Sequence, residues 1–215
     1  TMKKNVLIIG SSSDIAKSLT FSAQFNYIKL SSKTSDFNIL DPTTFPEIDE
    51  LDGLVYFPGS INLKPFNSIK KLDFQKDYEI NVIGLINIMQ NYYPIFNNNT
   101  SIVFISSIAA KMGLKFHASI AMCKAAIESL TRTLASEFAP KIRVNCVSPS
   151  LIETKLSNRI LRNEQTKNKI INDNPLKRIG QPEDVSNMIE FLLSNKSTWI
   201  TGQTIHIDGG LSNIK

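Results

Sequence analysis

An alternation limits this chain's fold more than any other feature. Short apolar runs closed by Gly or Pro take turns with longer stretches of helical spacing along the 215 residues. "KNVLIIG", "LDGLVYFPG", "TSIVFISS" and "KIRVNCVSP" are apolar runs of the kind that parallel strands buried on both faces require. "NYIKLS", "SDFNIL" and "GQTIHIDGG" read as three more strands, and Asp41-Pro42 ends the second of these. Helical spacing marks "SSDIAKSLTFSAQF" through Ile15, Leu19 and Phe25, and also "KDYEINVIGLINIMQNYYPIF" and "HASIAMCKAAIESLTRTLASEFAP". "QPEDVSNMIEFLLS" carries Pro182 in its first turn, where helices accept proline. Strands alternating with helices pair in parallel, with helices on both faces. The expectation is one α/β domain over 1–215 with a doubly wound, seven-stranded parallel sheet. Too few residues separate "NYIKL" from "LDGLVYF" for a full helix, so the usual helix there is reduced to a turn.

Composition excludes several classes of function. No apolar run is long enough to cross a bilayer, and "VLIIG" runs straight into a glycine turn instead of a cleavage site. No membrane association is expected. Cys123 and Cys146 are the only cysteines and sit among apolar residues, which reads as two buried free thiols in a reducing, cytoplasmic setting. The net charge is +5. Between Lys155 and Arg178 seven basic residues face two acids, which accounts for the whole excess. No aromatic residue is interleaved there to stack on bases, so nucleic acid is not the expected partner. The segment reads either as a solvated helix face or as a basic lid over an anionic small molecule.

The first strand ends at Gly10, and "SSSDIA" then opens a helix. A glycine there allows a sharp turn, and a helix start offers unpaired N–H groups to a phosphate. The hydroxyls of Ser12 and Ser13 add donors. After the second strand comes "LSSK", with no acid to bind a ribose 2′-hydroxyl. Ser31, Ser32 and Lys33 suit a 2′-phosphate, which favours NADP over NAD. Asp41 stands where it can accept from an adenine amino group, or serve as a turn residue before Pro42.

Together these segments resemble the short-chain dehydrogenase/reductase family, in its 3-oxoacyl-acyl-carrier-protein reductase-like branch. The pieces that carry the likeness are "INVIG" around Asn81, "ISSIAAKMG" around Ser107, "KAAIESLTRTLASEFAPKIRVNCVSPSLIET" and "RIGQPEDVSNMIEFLLSNKSTWITGQTIHIDGG". The resemblance implies a Rossmann fold and hydride transfer with a nicotinamide cofactor to or from a carbonyl or enoyl group. It implies that Gly10, Ser12 and Ile15 form the cofactor turn, that Asp41 meets the adenine, and that Pro149, Ile152 and Thr154 lie around the nicotinamide. Asn81 would hold a relay water, Ser107 would polarise the substrate carbonyl, and Lys124 would grip the nicotinamide ribose.

The departures are as telling. Asp14 and Ala16 replace the second and third glycines of the turn, "YFPG" replaces the family's "NNAG", and Ser150 follows Pro149 in place of glycine. The family's catalytic tyrosine falls on Ile120, which has no proton to give; losing a placed general acid typically costs about 10²–10⁴-fold. His117, seven residues before Lys124, shares its helical face if the helix reaches back so far, and is the candidate substitute. His206 reads as a strand residue. Two readings follow: an oxidoreductase with an atypical site, acting on a small molecule such as an acyl thioester, or a catalytically silent cofactor-binding sensor or structural homologue. A substrate lid is expected at about 152–178. The two helices holding Asn81 and Lys124 are apolar over most of their surfaces, so a homo-oligomer, tetramer or dimer, is expected.

Overall fold

A computed structural model describes residues 3–20, 23–33 and 36–214. Among them run β1 (Lys4–Ile9), α1 (Asp14–Lys17), β2 (Phe25–Leu30), β3 (Leu51–Tyr56), α2 (Lys71–Tyr78), α3 (Gly84–Tyr92), β4 (Phe96–Ile105), α4 (Ala118–Phe138), β5 (Ile142–Pro149), α5 (Asn158–Leu161), α6 (Glu164–Asp173), α7 (Pro182–Leu193) and β6 (Thr204–Ile207). The strands form one sheet in the order β2-β1-β3-β4-β5-β6, every pair parallel. The order reverses beside β1, so the chain leaves the carboxyl ends of β1 and β3 towards opposite faces of the sheet, α1 on one and α3 on the other, which is where a crevice forms in such sheets.

Alternation along each strand builds two cores. Leu7, Ile9, Leu54, Tyr56, Ile102 and Phe104 face one layer and pack with Leu85, Ile88 and Met89 of α3 and Ile127 of α4. Val6, Ile8, Val55, Val103 and Val147 face the other and pack with Ala16 of α1 and Val185, Ile189 and Leu192 of α7. Neighbouring strand residues thus go to opposite faces, and each large side chain fully buried is worth about 1.5–3 kcal/mol.

The described sheet has six strands, one fewer than the alternation predicts. Of "SDFNIL", Ser35 lies outside the described residues, and the rest forms no strand: Asp36 to Asp41 lead through bends and turns into a 3₁₀ turn at Pro42–Thr44. Pro42 and Pro46 have no N–H for a ladder. The segment instead folds onto α3 through aromatic rings: Phe37 and Phe45 lie 5.3 Å apart, and Phe45 stacks on Tyr92 at 6.1 Å. The helix before β3 is thus the reduced turn that the sequence predicts. α1 is also shorter than its pattern. Its last turn is closed by Ser18, whose N–H and hydroxyl both bond back to the Ile15 carbonyl.

The expected continuous helix through Asn81 begins earlier, at Lys71, and changes form in the middle: Glu79–Ile83 is a π turn. Gly84 N–H passes over Ile80 and bonds the Glu79 carbonyl. The Tyr56 hydroxyl, arriving from β3, donates to the Ile80 carbonyl at 2.6 Å. A Cβ on Gly84 would stand 2.7 Å from that hydroxyl oxygen, so only glycine lets Tyr56 in.

Candidate active site

Asn81 sits within the π turn and is fully buried. Its Nδ2 donates to the Asp77 carbonyl at 2.8 Å and to Ser60 Oγ at 3.2 Å, and the Ser60 hydroxyl donates to the Asp77 carboxylate. Both amide hydrogens are thereby used, which fixes the orientation of the carboxamide and leaves Asn81 Oδ1 buried without a partner among the described residues. Asp77 and Ser60 escape a motif-based reading. The i−4 spacing of Asp77 from Asn81 is the signal that points to it.

Lys124 lies one turn beyond Ile120 on α4 and is 7% exposed. Its Nζ donates to the Ile105 carbonyl at the end of β4, at 2.8 Å. The Ser106 hydroxyl returns a bond to the Lys124 carbonyl at 3.3 Å and another to Glu128 at 2.8 Å. The end of β4 is thus tied to α4 from both sides. Ser107 follows at once, half-buried, and caps the 3₁₀ turn Ile108–Ala110 by accepting from Ala109 N–H at 3.2 Å. Burial pulls the Lys124 amine down to about 8, partly offset by the thiols of Cys146 and Cys123. Burial pushes those thiols the other way, Cys123 to about 11 and Cys146 to about 12. Both are free cysteines.

Gly59 joins the two helices' contributions. A Cβ there would stand 3.4 Å from both Asn81 Oδ1 and Lys124 Nζ, so these atoms flank one small space that glycine keeps open. Ile120 is buried. His117 is the cap residue of α4, which begins at Ala118, and its carbonyl accepts from Ala121 N–H at 2.8 Å, so the first turn reaches back to it. Its Nδ1 donates to the Lys115 carbonyl at 2.7 Å. Helical rise puts it about 10 Å along the axis from Lys124.

The β1 corner turns on Gly10, at φ 80°, under Phe57 and Pro58, where a Cβ would stand 3.0 Å from Pro58 Cδ. Ser13 caps α1 through Ala16 N–H, and the N–H groups of Asp14 and Ile15 stand in the first helical turn, where no intrahelical acceptor exists. The Ser31 hydroxyl donates to Ser12 Oγ at 3.0 Å, joining the carboxyl ends of β1 and β2. Ser31 is buried, whereas Ser32 and Lys33 are exposed beyond it. Asp41 closes no strand; it caps the Pro42–Thr44 turn, accepting from Thr43 N–H at 3.1 Å and the Thr43 hydroxyl at 2.6 Å.

Pro149 ends β5, and the chain beyond it crosses towards the corner. Ile152 is buried and bridges to Gly180. Thr154 is engaged with Ser157, and Lys155 N–H donates to the Asp14 carboxylate at 2.6 Å. The residue standing for the turn's second glycine therefore holds the segment after β5. The basic run beyond is partly paired, Lys169 with Asp173 at 2.6 Å and Arg178 with Asp184 at 2.6 Å. A cavity of about 410 Å³ opens at the ends of β5 and β6, between Ser150, Arg178, His206 and Gly209; Asn81, Ser107 and Lys124 do not line it.

The structure thus brings Asn81 and Lys124 together around Gly59, with Ser107 on the segment that Lys124 anchors. The corner of Gly10, Ser12, Ser13 and Ile15 stands across β3, His117 bonds the Lys115 carbonyl, and Asp41 caps the Pro42–Thr44 turn. Among the described residues, an acceptor without a partner, an amine with spare protons and helix-start N–H groups with no intrahelical acceptor fit a dinucleotide in chemical character. No metal-ligating cluster and no helix able to cross a membrane occurs among the described residues.

Comparison with known proteins identifies the family. A family profile described as Enoyl-(Acyl carrier protein) reductase matches residues 42–212. Tropinone reductase-like 3 of Erythroxylum coca is 36% identical over 135 residues, 63% of this chain and 52% of that protein. The 3-oxoacyl-[acyl-carrier-protein] reductase FabG of Thermotoga maritima is 37% identical over 146 residues, 66% of this chain and 58% of that protein. The chain thus spans between half and two thirds of the length of these relatives. Among solved structures, a short-chain dehydrogenase/reductase from Brucella melitensis superposes with a TM-score of 0.82 at 26% identity, over 98% of this chain and 99% of that one. ElxO with NADP bound superposes at 0.84 with 26% identity over the same shares, and a tyrosine-to-phenylalanine variant of ElxO, with NADPH bound, at 0.83. In sequence over most of its length and in fold throughout, the chain belongs to the short-chain dehydrogenase/reductase family.

Proposed function

We propose that the protein is an NADP(H)-dependent reductase of a carbonyl or enoyl group, working from a site in which Ile120 stands in place of the family's tyrosine. The observation that carries this reading is the meeting of Asn81 Oδ1 and Lys124 Nζ around Gly59. Gly10, Ser12, Ser13 and Ile15 hold the pyrophosphate of the cofactor, Ser32 and Lys33 take its 2′-phosphate, and Lys124 takes the nicotinamide ribose. Bound there, the reduced cofactor supplies a hydride. Ser107 donates to the substrate oxygen, and Asn81 holds water beside the Lys124 amine. NAD remains the lesser alternative, because no acid follows "LSSK" until Asp36.

The chain acts as a single domain, with 152–178 as a small lid whose entry is tied to the corner by Lys155 and Asp14. Its basic residues suit an anionic substrate such as an acyl thioester. Assembly into a dimer or tetramer is part of the reading, supported by Tyr78 and Met122, exposed on the helices of the site. Two free thiols fit a cytoplasmic setting.

NADPH oxidation with a panel of keto and enoyl thioesters tests the reading. Turnover of at least one is expected, and silence across the panel with the cofactor bound overturns it. A second reading, a silent NADP-binding sensor or structural homologue, is favoured by the buried, apolar Ile120. It predicts cofactor binding without turnover, and activity appearing only in Ile120→Tyr.

A further inference from the structure

A reductase must still deliver a proton to the substrate oxygen, and Ile120 has none to give. His117 is the cap residue of α4 and its Nδ1 is spent on the Lys115 carbonyl, whereas Lys124 Nζ stands beside Gly59. Resting on the reductase reading, we propose that Lys124 is the acid of this site: its ammonium gives the proton to the substrate oxygen directly, a catalytic residue and not only a fixed charge.

The surroundings of the amine carry this. Lys124 Nζ spends one hydrogen bond, on the Ile105 carbonyl, which leaves two of its protons without an acceptor among the described residues. Among the described residues no carboxylate pairs with it. Of the acids on the adjoining turns, Glu128 of α4 takes the Ser106 hydroxyl and Asp77 of α2 takes that of Ser60 through one oxygen, its other oxygen being buried without a partner among the described residues; neither forms an ion pair with Lys124. From β5 and from its own helix Lys124 meets Cys146 and Cys123, thiols that burial keeps protonated. Nothing therefore locks the positive charge in place, and the loss of water around it favours the neutral amine. Gly59, itself an exposed residue, lacks the side chain that would fill the space between Nζ and the buried Asn81 Oδ1, and the returning proton passes there. A buried aliphatic side chain at Ile120 leaves no phenol between the amine and the substrate's side of the helix.

The step balances. The C=O π bond breaks, and its carbon gains a C–H bond from the hydride of the reduced nicotinamide. Its oxygen takes a proton from Lys124 Nζ to give the alcohol. Neutral Lys124 then regains a proton from water held by Asn81 Oδ1.

Lysine ¹³Cε resonances, followed by NMR from pH 6 to 11 and assigned with Lys124→Met, read the amine without any turnover. Half-titration near pH 8 is expected. A Lys124 amine that stays charged to the ordinary lysine range, near 10.5, overturns the proposal whatever the activity. With NADPH and a substrate both saturating, kcat is expected to fall about tenfold per pH unit above the pKa that NMR gives, as an essential acid requires. In Ile120→Tyr, where a phenol takes over as donor, that limb moves. A kcat flat through the amine's titration overturns the lysine proposal and leaves the reductase reading standing. Binding of NADPH with no turnover by wild type or Ile120→Tyr overturns both.

Discussion

Lys124 is a cation held where water cannot reach most of it. The unfolded chain keeps its proton up to about 10.5, and the folded chain releases it at about 8. Between those values the unfolded state binds more protons, so this residue's contribution to stability rises with pH through that window and is least favourable below it. The difference is about 3 kcal/mol at neutral pH. Lys124→Met is therefore expected to stabilise the protein at pH 7 by about 2 kcal/mol, after the Ile105 carbonyl loses its donor. Urea unfolding should show that gain shrinking as pH rises from 8 towards 10.5. Equal stability of the two proteins at pH 7 would remove the charge penalty from the account. The same substitution should abolish reduction, as expected of a site that trades stability for function.

The π turn at Glu79–Ile83 exists because two elements meet there. Tyr56 from β3 donates to the Ile80 carbonyl, and Gly84 leaves room for the ring oxygen. Tyr56→Phe removes that donor and is expected to cost about 1–2 kcal/mol. Gly84→Ala pushes a methyl against Tyr56 and Ile39 and is expected to cost about 1–3 kcal/mol. Because the two changes share one contact, Gly84→Ala should be milder in the Tyr56→Phe background; additive losses in a double-mutant cycle would refute the shared contact. The segment after β5 depends on a second such meeting. Asp14→Ala deletes the acceptor of Lys155 N–H. Hydrogen exchange at Lys155 should quicken, with α7 unchanged as the internal control, and unchanged exchange at Lys155 would argue against that tie.

For the whole molecule, NADPH that binds only the native state stabilises it by about 2.7 kcal/mol at a hundredfold excess over Kd. For a domain of 215 residues this should raise Tm by roughly 5–10 °C. A melt indifferent to saturating NADPH and NADH would remove the cofactor from the account. Much of the architecture was legible in the chain. Periodicity is local, so β1, β3, β4 and β5, and the long helix around Lys124, follow from which residues are apolar and where Gly and Pro interrupt them. Asn81, Ser107 and Lys124 stand out through their motifs for the same reason. "SDFNIL" misleads because its Phe37 serves an aromatic stack with Phe45 and Tyr92, a contact that alternation does not encode. His117 is legible only as a spacing; its place as the cap of α4 and its bond to the Lys115 carbonyl were set by the turn before the helix. The free Asn81 oxygen, the pairing of Asp14 with Lys155 and the entry of Tyr56 beside Gly84 were decided only when distant segments closed on one another. Local burial preferences are written residue by residue, but a hydrogen bond across the fold depends on the distance and direction that packing finally imposes.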